Sequence, residues 1–252
     1  MSAEASAEGI VLRRLDSGES DRRLVVLAEG LGKIWITARG ARKAKSRFAG
    51  STDPLTRARF TWAEGKRTRY LTTVEPRRGY PLLRADYDRL ATGLAMAELA
   101  DLAIPTEGPD DVGFELLDIS LDHLQTSDPA SVLAWFSVQL MQHEGQAPDW
   151  TACAVTGKRL EHDPILVSPH AGGAIDEEFA GQYRDAFRAS WEALVGLKRL
   201  MERDHPPSAM KSAEDAARAV ERFWEGLLDR PMPAHLARRQ SIFPTFPPSA
   251  SQ

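Results

Sequence analysis

Apolar and polar positions follow two different periods along this chain, and the change falls near residue 80. Before it, short stretches alternate with the period of two expected of half-buried strands. They are Ile10–Leu15, Arg22–Ala28, Lys33–Ala38, Leu55–Ala63 and Thr68–Val74. The breaks between them are turn-forming: Asp16–Asp21 around Gly18, Glu29–Gly32, and Glu64–Arg67. In Leu55–Ala63 the alternation slips by one residue near Ala58, which predicts a bulge. Five short strands in about seventy residues predict a small closed barrel, since closure leaves no exposed sheet edge.

Pro76 and Pro81 mark the boundary, and beyond them the period becomes helical. Leu83, Tyr87, Leu90, Leu94 and Ala97 predict one helix ended by Pro105. Leu116, Ile119 and Leu124 predict a second over 110–125. Asp128-Pro129 places a cap before a proline at the first helical position of a third, which buries Val132, Phe136 and Leu140 and stops at Gly145. Residues 146–180 read as irregular. The stripe Tyr183, Phe187, Trp191, Leu194, Leu197 and Met201 predicts a further helix that Pro206-Pro207 breaks. Ser212–Asp215 resembles a capping box, ahead of a last long helix through Ala216, Val220, Phe223 and Leu227. The fold class is thus α+β. A barrel over 1–80 precedes a helical domain of 81–145 and 181–243, with an irregular insert at 146–180 and a disordered tail at 244–252.

Composition alters this picture in one respect. The net charge of −4 over 252 residues conceals a split. Residues 1–80 carry 17 Lys and Arg against 9 Asp and Glu, a surplus of +8, which leaves 15 against 27, or −12, for the rest. A basic module joined to an acidic body suits a polyanionic partner. There is no run of 18 apolar residues to cross a membrane. The N-terminus lacks the order of a signal peptide, and the single Cys153 excludes an internal disulfide, so a cytoplasmic location is expected.

The surplus concentrates in residues 33–48, where a strand leads into Arg39, Arg42, Lys43, Lys45 and Arg47 with no acid among them. Gly40 lets the chain turn between strand and loop. Arg22 and Arg23 open the second strand, Lys33 opens the third, and Lys66, Arg67 and Arg69 surround the last hairpin. If the barrel closes, these join into one electropositive face. Trp35, Phe48, Phe60, Trp62 and Tyr70 supply rings. At least half of them are expected in the barrel core, and Trp35 or Trp62 is the candidate base-stacker. Catalytic patterns are missing. Gly30-Leu-Gly-Lys33 lacks the earlier glycine and the Ser/Thr of a phosphate loop. Asp110-Asp111 suits a helix N-terminus. Cys153 with His162 and His170 makes no recognisable nucleophilic set. The residues therefore predict a binding protein rather than an enzyme, with no cofactor.

On these residues the chain resembles the RecO family of bacterial recombination mediators. The resemblance rests on Gly9–Leu12, Gly18–Asp21, Gly32-Lys33 and above all the basic segment Ala38–Phe48, followed by Asp53-Pro-Leu55. Ala97-Glu-Leu99, Trp135-Phe136 and Gly145–Pro148 leading to Cys153 extend it, and it spans residues 9–243. It implies an OB-fold for the barrel and binding of single- and double-stranded DNA. It also implies annealing of complementary strands in the nucleoid-associated cytoplasm, and no nucleotide requirement. The implied partners are RecR, the acidic C-terminal tail of single-strand-binding protein and, indirectly, RecA. The other class open to the sequence is a protein–protein adaptor whose basic face meets an acidic partner. Some members of the family hold zinc through two Cys-x-x-Cys pairs. Here Cys153 keeps the first place, but Thr156, Asp176 and Phe179 fall where the other thiols stand. A zinc-free insert is expected, the alternative being a substitute site drawn from Cys153, His162, Asp163, His170 and Asp176.

Overall fold

The computed structural model describes residues 4–48, 50–106 and 108–242. Its first part is a closed five-stranded barrel: β1 (Glu4–Ser17), β2 (Asp21–Ala28), β3 (Gly32–Ala38), β4 (Arg57–Glu64) and β5 (Arg69–Arg78). The strands close in the order β1-β2-β3-β5-β4. All neighbours are antiparallel except β3 and β5, which pair in parallel at Ile36–Arg69 and Thr37–Tyr70. With 14 residues, β1 is long enough to pair with both β2 and β4, and it bends where Leu12 is the extra residue between Val11 and Arg13. The register also slips beside Ala58, as the alternation predicts, although the extra residue, Arg77, lies on the facing strand. That strand runs past the expected boundary: Pro76 sits within β5 opposite Ala58, next to the bulge, where a missing N–H disturbs the ladder least.

β2 shows why the barrel does not stand alone. Leu24, Val26 and Ala28 point into the barrel with Val11, Ile34, Ile36, Phe60 and Trp62. The alternate residues Val25 and Leu27, with Ile10 and Leu12 of β1, join the core of the helical body. The strand is buried on both faces, so five consecutive residues read as one apolar run.

The helical body contains α1 (Pro81–Ala85), α2 (Tyr87–Ala103), α3 (Asp111–His123), α4 (Pro129–His143), α5 (Trp191–Leu200), α6 (Ala213–Leu228) and α7 (Pro233–Ile242). The first predicted helix is two. Asp86 adopts an extended backbone and caps α2 by accepting the Arg89 N–H at 3.0 Å, which leaves Tyr87 exposed rather than on the buried stripe. Asp128 caps α4 as its Asp-Pro pair predicts, accepting the Ser131 N–H at 2.8 Å. The expected capping box at Ser212 does not form. That residue has φ +54°, and its hydroxyl donates to Glu192 at 2.8 Å instead.

The insert expected to be irregular carries β6 (Ile165–Ser168) and β7 (Gly173–Ile175), which form a small antiparallel sheet with β8 (Phe187–Ala189) beyond it, in the order β7-β6-β8. Phe187 is therefore a strand residue, and the helix expected from Tyr183 onward begins only at Trp191, where Ser190 accepts the Ala193 N–H. Strands of three or four residues are too short to display alternation. The tail expected to be disordered lies outside the described residues. Among the described residues no helix is long and apolar enough to cross a membrane.

Barrel and body are fastened by ion pairs as well as by shared core. Lys33 is 6% exposed, reaches the Asp101 backbone carbonyl and lies 3.6 Å from its carboxylate. Burial pulls the Lys33 pKa below its ordinary value, and Asp101 opposes that shift. Arg13 meets the same carboxylate at 2.7 Å, Arg57 meets Asp118 at 3.0 Å, and Arg78 pairs with Asp122. At Gly32, with φ +69°, a Cβ would lie 1.9 Å from the Gly108 carbonyl oxygen, so only glycine allows this close approach.

Candidate nucleic-acid interface

The loop after β3 is rooted by backbone contacts. At Gly40 the chain turns with φ +67°, and the Gly40 N–H donates to the Asp21 carboxylate at 2.8 Å. That bond, then the Ser20 hydroxyl, with Arg39 and Lys43 nearby, holds the Asp21 carboxyl below its ordinary value. The Arg42 N–H donates to the Ser20 carbonyl at 2.9 Å. The turn between β1 and β2 thus clamps the base of the loop. Ala41 and Phe48 insert into the barrel core and pin its two ends, so Phe48 is a structural ring and not an exposed one. The sequence places Asp21 at the end of a polar turn and gives it no part in the loop, because its partner Gly40 is distant in sequence.

The cations divide into two groups. Arg22 is turned inward, near Asp16 at 3.7 Å and Asp53 at 3.9 Å, and Arg42 is paired with Asp16 at 3.3 Å. Arg69 is paired with Glu64 at 3.2 Å, and Lys33 is buried in the junction with the body. Lys33, though expected on the basic face, does not present its charge there: β3 pleats it toward the body. Arg23, Arg39, Lys43, Lys45, Arg47, Lys66 and Arg67 are exposed, and among the described residues none of them has a salt bridge.

Several of these free cations lie against rings. The Arg23 guanidinium lies 4.6 Å from the Trp35 ring centroid, and Arg13 approaches the same ring at 5.7 Å. Arg39 sits 3.9 Å over Tyr70, joining the loop root to β5, and Arg47 sits 4.8 Å over Phe48. Trp35 and Tyr70 are half-buried on the outer surface of the barrel. Trp62, the other candidate stacker, is 2% exposed and belongs to the core, its indole N–H donating to Glu64 at 2.7 Å. Lys66, Arg67 and Arg69 of the last hairpin line a cleft of about 370 Å³ together with Arg23 and Trp35. Phosphate-sized charges in the loops after β3 and β4 and on β2, beside flat rings held by β3 and β5, form a surface suited to an extended polyanion carrying bases.

The insert offers no matching centre for zinc. Cys153 is buried. Burial pushes its thiol pKa up, but the Thr156 hydroxyl and the N–H groups of Thr156, Asp176 and Val155 outweigh that and leave it below its ordinary value. The sulfur is thus wrapped as a metal-binding thiolate would be, with no second thiol to share an ion. His162 is exposed and its ring meets the Pro164 carbonyl, while the exposed His170 donates its N–H to Asp185. Among the described residues, only Asp110, His143 and Glu144 bring ligand atoms within 4.8 Å of one another. Asp110 is already the cap of α3, accepting the Gly113 N–H at 2.9 Å, and it pairs with His143 at 2.8 Å. Its neighbour Asp111 accepts the Gly30 N–H at 2.7 Å, so both acids serve the helix start and the junction.

A five-stranded OB-type barrel with a cationic, ring-bearing outer face, built onto a helical body, defines a nucleic-acid-binding protein. Comparison with known sequences narrows the class. Residues 1–80 match the family description Recombination protein O N terminal, and residues 84–233 match Recombination protein O C terminal. The DNA repair protein RecO of Desulfitobacterium hafniense (strain DSM 10664 / DCB-2) is 36% identical over 195 residues, covering 77% of this chain and 71% of that one. That of Anaeromyxobacter dehalogenans (strain 2CP-1 / ATCC BAA-258) is 32% identical over 238 residues, covering 91% and 94%. The chain belongs to the RecO family of DNA repair proteins.

Proposed function

We propose that this protein binds single- and double-stranded DNA across the outer face of its barrel and anneals complementary strands without a nucleotide, acting as a mediator rather than an enzyme. The observation that carries this reading is a set of exposed cations without salt bridges among the described residues: Arg23, Lys66 and Arg67 line one cleft with Trp35, Arg39 covers Tyr70, and Lys43, Lys45 and Arg47 follow Arg39 in the same loop. Such a face holds one strand and screens its repulsion from a second, so pairing is accelerated with no bond made or broken. Five to eight phosphate contacts correspond to a log–log salt slope of roughly −4 to −7 on duplex, shallower on single strands. The direct test is titration of labelled oligonucleotides at several salt concentrations, with annealing followed with and without ATP. Affinity independent of salt, or ATP turnover that copurifies with the protein, would overturn the proposal.

The partners of the mediator reading are RecR, the tail of single-strand-binding protein and, through loading on coated gaps, RecA. For the tail, support comes from a cleft of about 530 Å³ beside α5. Trp191, Val195, Leu200, Pro207 and Met210 supply its apolar wall, and Arg199 and Arg203 its cations, while Lys211 at its edge is paired with Glu192 at 2.6 Å. An acidic peptide ending in an apolar anchor matches both. Lys198, on the same helix, is bound to Asp149 at 3.0 Å and is not needed for this role. Calorimetry with a tail peptide at low salt tests it, and absence of binding leaves RecR as the better partner. The adaptor reading requires the barrel face to prefer an acidic protein over DNA, and the half-buried rings of that face favour DNA.

A further inference from the structure

The last helix docks through charge where the others dock through apolar stripes. Among the described side chains of α7 the buried ones are His235, 0% exposed, and Arg238, 1% exposed, whereas Leu236 is 50% exposed. The groove that receives it, between α2 and α6, is acidic. Glu98 of α2 accepts the Ala234 N–H at 2.9 Å and the His235 N–H at 3.2 Å, capping the start of α7 from another helix, and lies 3.1 Å from the His235 Nδ1. Glu214 of α6 takes Arg238 at 2.9 Å, and Glu225 takes Arg239 at 2.6 Å.

Glu221 is at the bottom of this groove and is 1% exposed. Among the described residues neither of its carboxylate oxygens finds a hydrogen-bond donor. The nearest positive groups are the Arg238 guanidinium at 3.6 Å and the His235 Nε2 at 3.9 Å, and among the described residues that Nε2 has no hydrogen-bond partner either. Burial pushes the Glu221 carboxyl above its ordinary range, with His235, Arg238 and Arg239 drawing it back.

These features set the energetics of docking. Seating α7 removes three ionisable side chains from water, and their mutual attraction repays the lost hydration only when hydrogen bonding is complete. Here it is incomplete at Glu221 and His235. Among the described side chains of the segment, Met232, just ahead of the helix, is the one large buried apolar residue. Lifting α7 off therefore restores hydration to Glu221, His235 and Arg238, which lowers its opening energy relative to a helix docked by an apolar stripe alone.

We propose that the acidic groove between α2 and α6 is a docking site whose occupant is this chain's own α7, and that α7 leaves and re-enters it as a unit while the rest of the body stays folded. Residues 229–232 are the hinge, with Asp229 at φ +46° marking the end of α6. Undocking exposes two surfaces at once, an acidic groove and a basic helix end, so either can be competed for by a partner of opposite charge.

Hydrogen exchange followed by mass spectrometry on the full chain tests this. Amides of 233–242 should exchange as a block, at least tenfold faster than those of α4 and α6, a difference of about 1.4 kcal/mol in opening. Glu98→Gln should speed that block further and leave α4 and α6 unmoved. Glu221→Met with Arg238→Met, which replaces the buried charges by apolar volume, should slow it. Exchange of α7 at the rate of α6, with both moving together in Glu98→Gln, would show one cooperative unit and overturn the proposal. So would a double variant that fails to slow exchange. Exchange that slows as protein concentration rises would assign the groove to α7 of a second copy, and would equally overturn it.

Discussion

The loop after β3 and the junction between barrel and body use the same residue types to opposite ends. In the junction each cation is matched to an acid of the body: Lys33 and Arg13 to Asp101, Arg57 to Asp118, Arg78 to Asp122. In the loop, Lys43, Lys45 and Arg47 face solvent with no salt bridge among the described residues. Both regions contribute to the same surplus of +8 over residues 1–80. The junction's charges are matched within the molecule, whereas Arg39, Lys43, Lys45 and Arg47 of the loop, with Arg23, Lys66 and Arg67, have no salt bridge among the described residues. A count of basic residues therefore overstates the free charge, because acids of the barrel (Glu8, Asp16, Asp53, Glu64) as well as of the helical body pair with many of the cations.

The largest expected effect breaks the comparison from the loop side. Lys43→Ala/Lys45→Ala/Arg47→Ala should lower duplex affinity roughly 10²-fold near 0.1 M salt and flatten the log–log salt slope by about 2.7. Its urea midpoint should stay that of the parent, because these side chains form no salt bridge. An unchanged slope in fluorescence anisotropy titrations would show the loop to be merely solvated.

Lys33→Met approaches it from the junction side. Removing a buried partner of Asp101 should cost about 2 kcal/mol of folding stability, part of the charge being kept in balance by Arg13. DNA affinity per folded molecule should not change. A weakened affinity with intact stability, measured by urea unfolding beside the same titration, would return Lys33 to the DNA face.

Trp35→Ala separates ring from charge. Loss of one stacking platform should cost about 1–2 kcal/mol on single strands and much less on duplex, with the salt slope preserved. Trp62→Ala should instead destabilise the barrel, by about 3 kcal/mol or more, as a cavity in its core. Equal loss on both DNA forms in the Trp35 variant would argue that the ring only positions Arg23.

The smallest effect concerns the clamp. Asp21 has a folded-state pKa below its ordinary value of 3.8, chiefly through the Gly40 N–H. Its contribution is therefore complete above that ordinary value and lost as pH falls through the lowered folded value. Between pH 5 and 8 the Gly40 amide should exchange at a rate explained by base catalysis alone, and in Asp21→Asn it should exchange faster at every pH. A Gly40 amide indifferent to that substitution would mean that the loop is anchored by Ala41 and Phe48 without the carboxylate.

Periodicity alone carried the barrel, since alternation is a local property of each strand and the turns between strands are marked by Gly18, Gly30, Gly32 and Gly40. It also carried α4, whose Asp-Pro start encodes its own cap. It failed where the partner of a group is distant in sequence. The three-residue strand Phe187–Ala189 reads as the start of a helix because its ladder partners are at 165–167. The first helix breaks at Asp86, where capping of α2 outweighs a continuous stripe.

The candidate interface divides in the same way. Its residue types and its position after the third strand are written in the order of the chain, because a run of cations without acids needs no tertiary contact to exist. Which of those cations are free, which ring is outside and which acid holds the loop depend on side chains brought together across long sequence separations. Lys33 meets Asp101, and Trp62 enters the core while Trp35 turns outward by the pleat of its strand. Those outcomes follow from burial and pairing in three dimensions, where the free energy of a charge or ring is set by its neighbours and not by its place in the sequence.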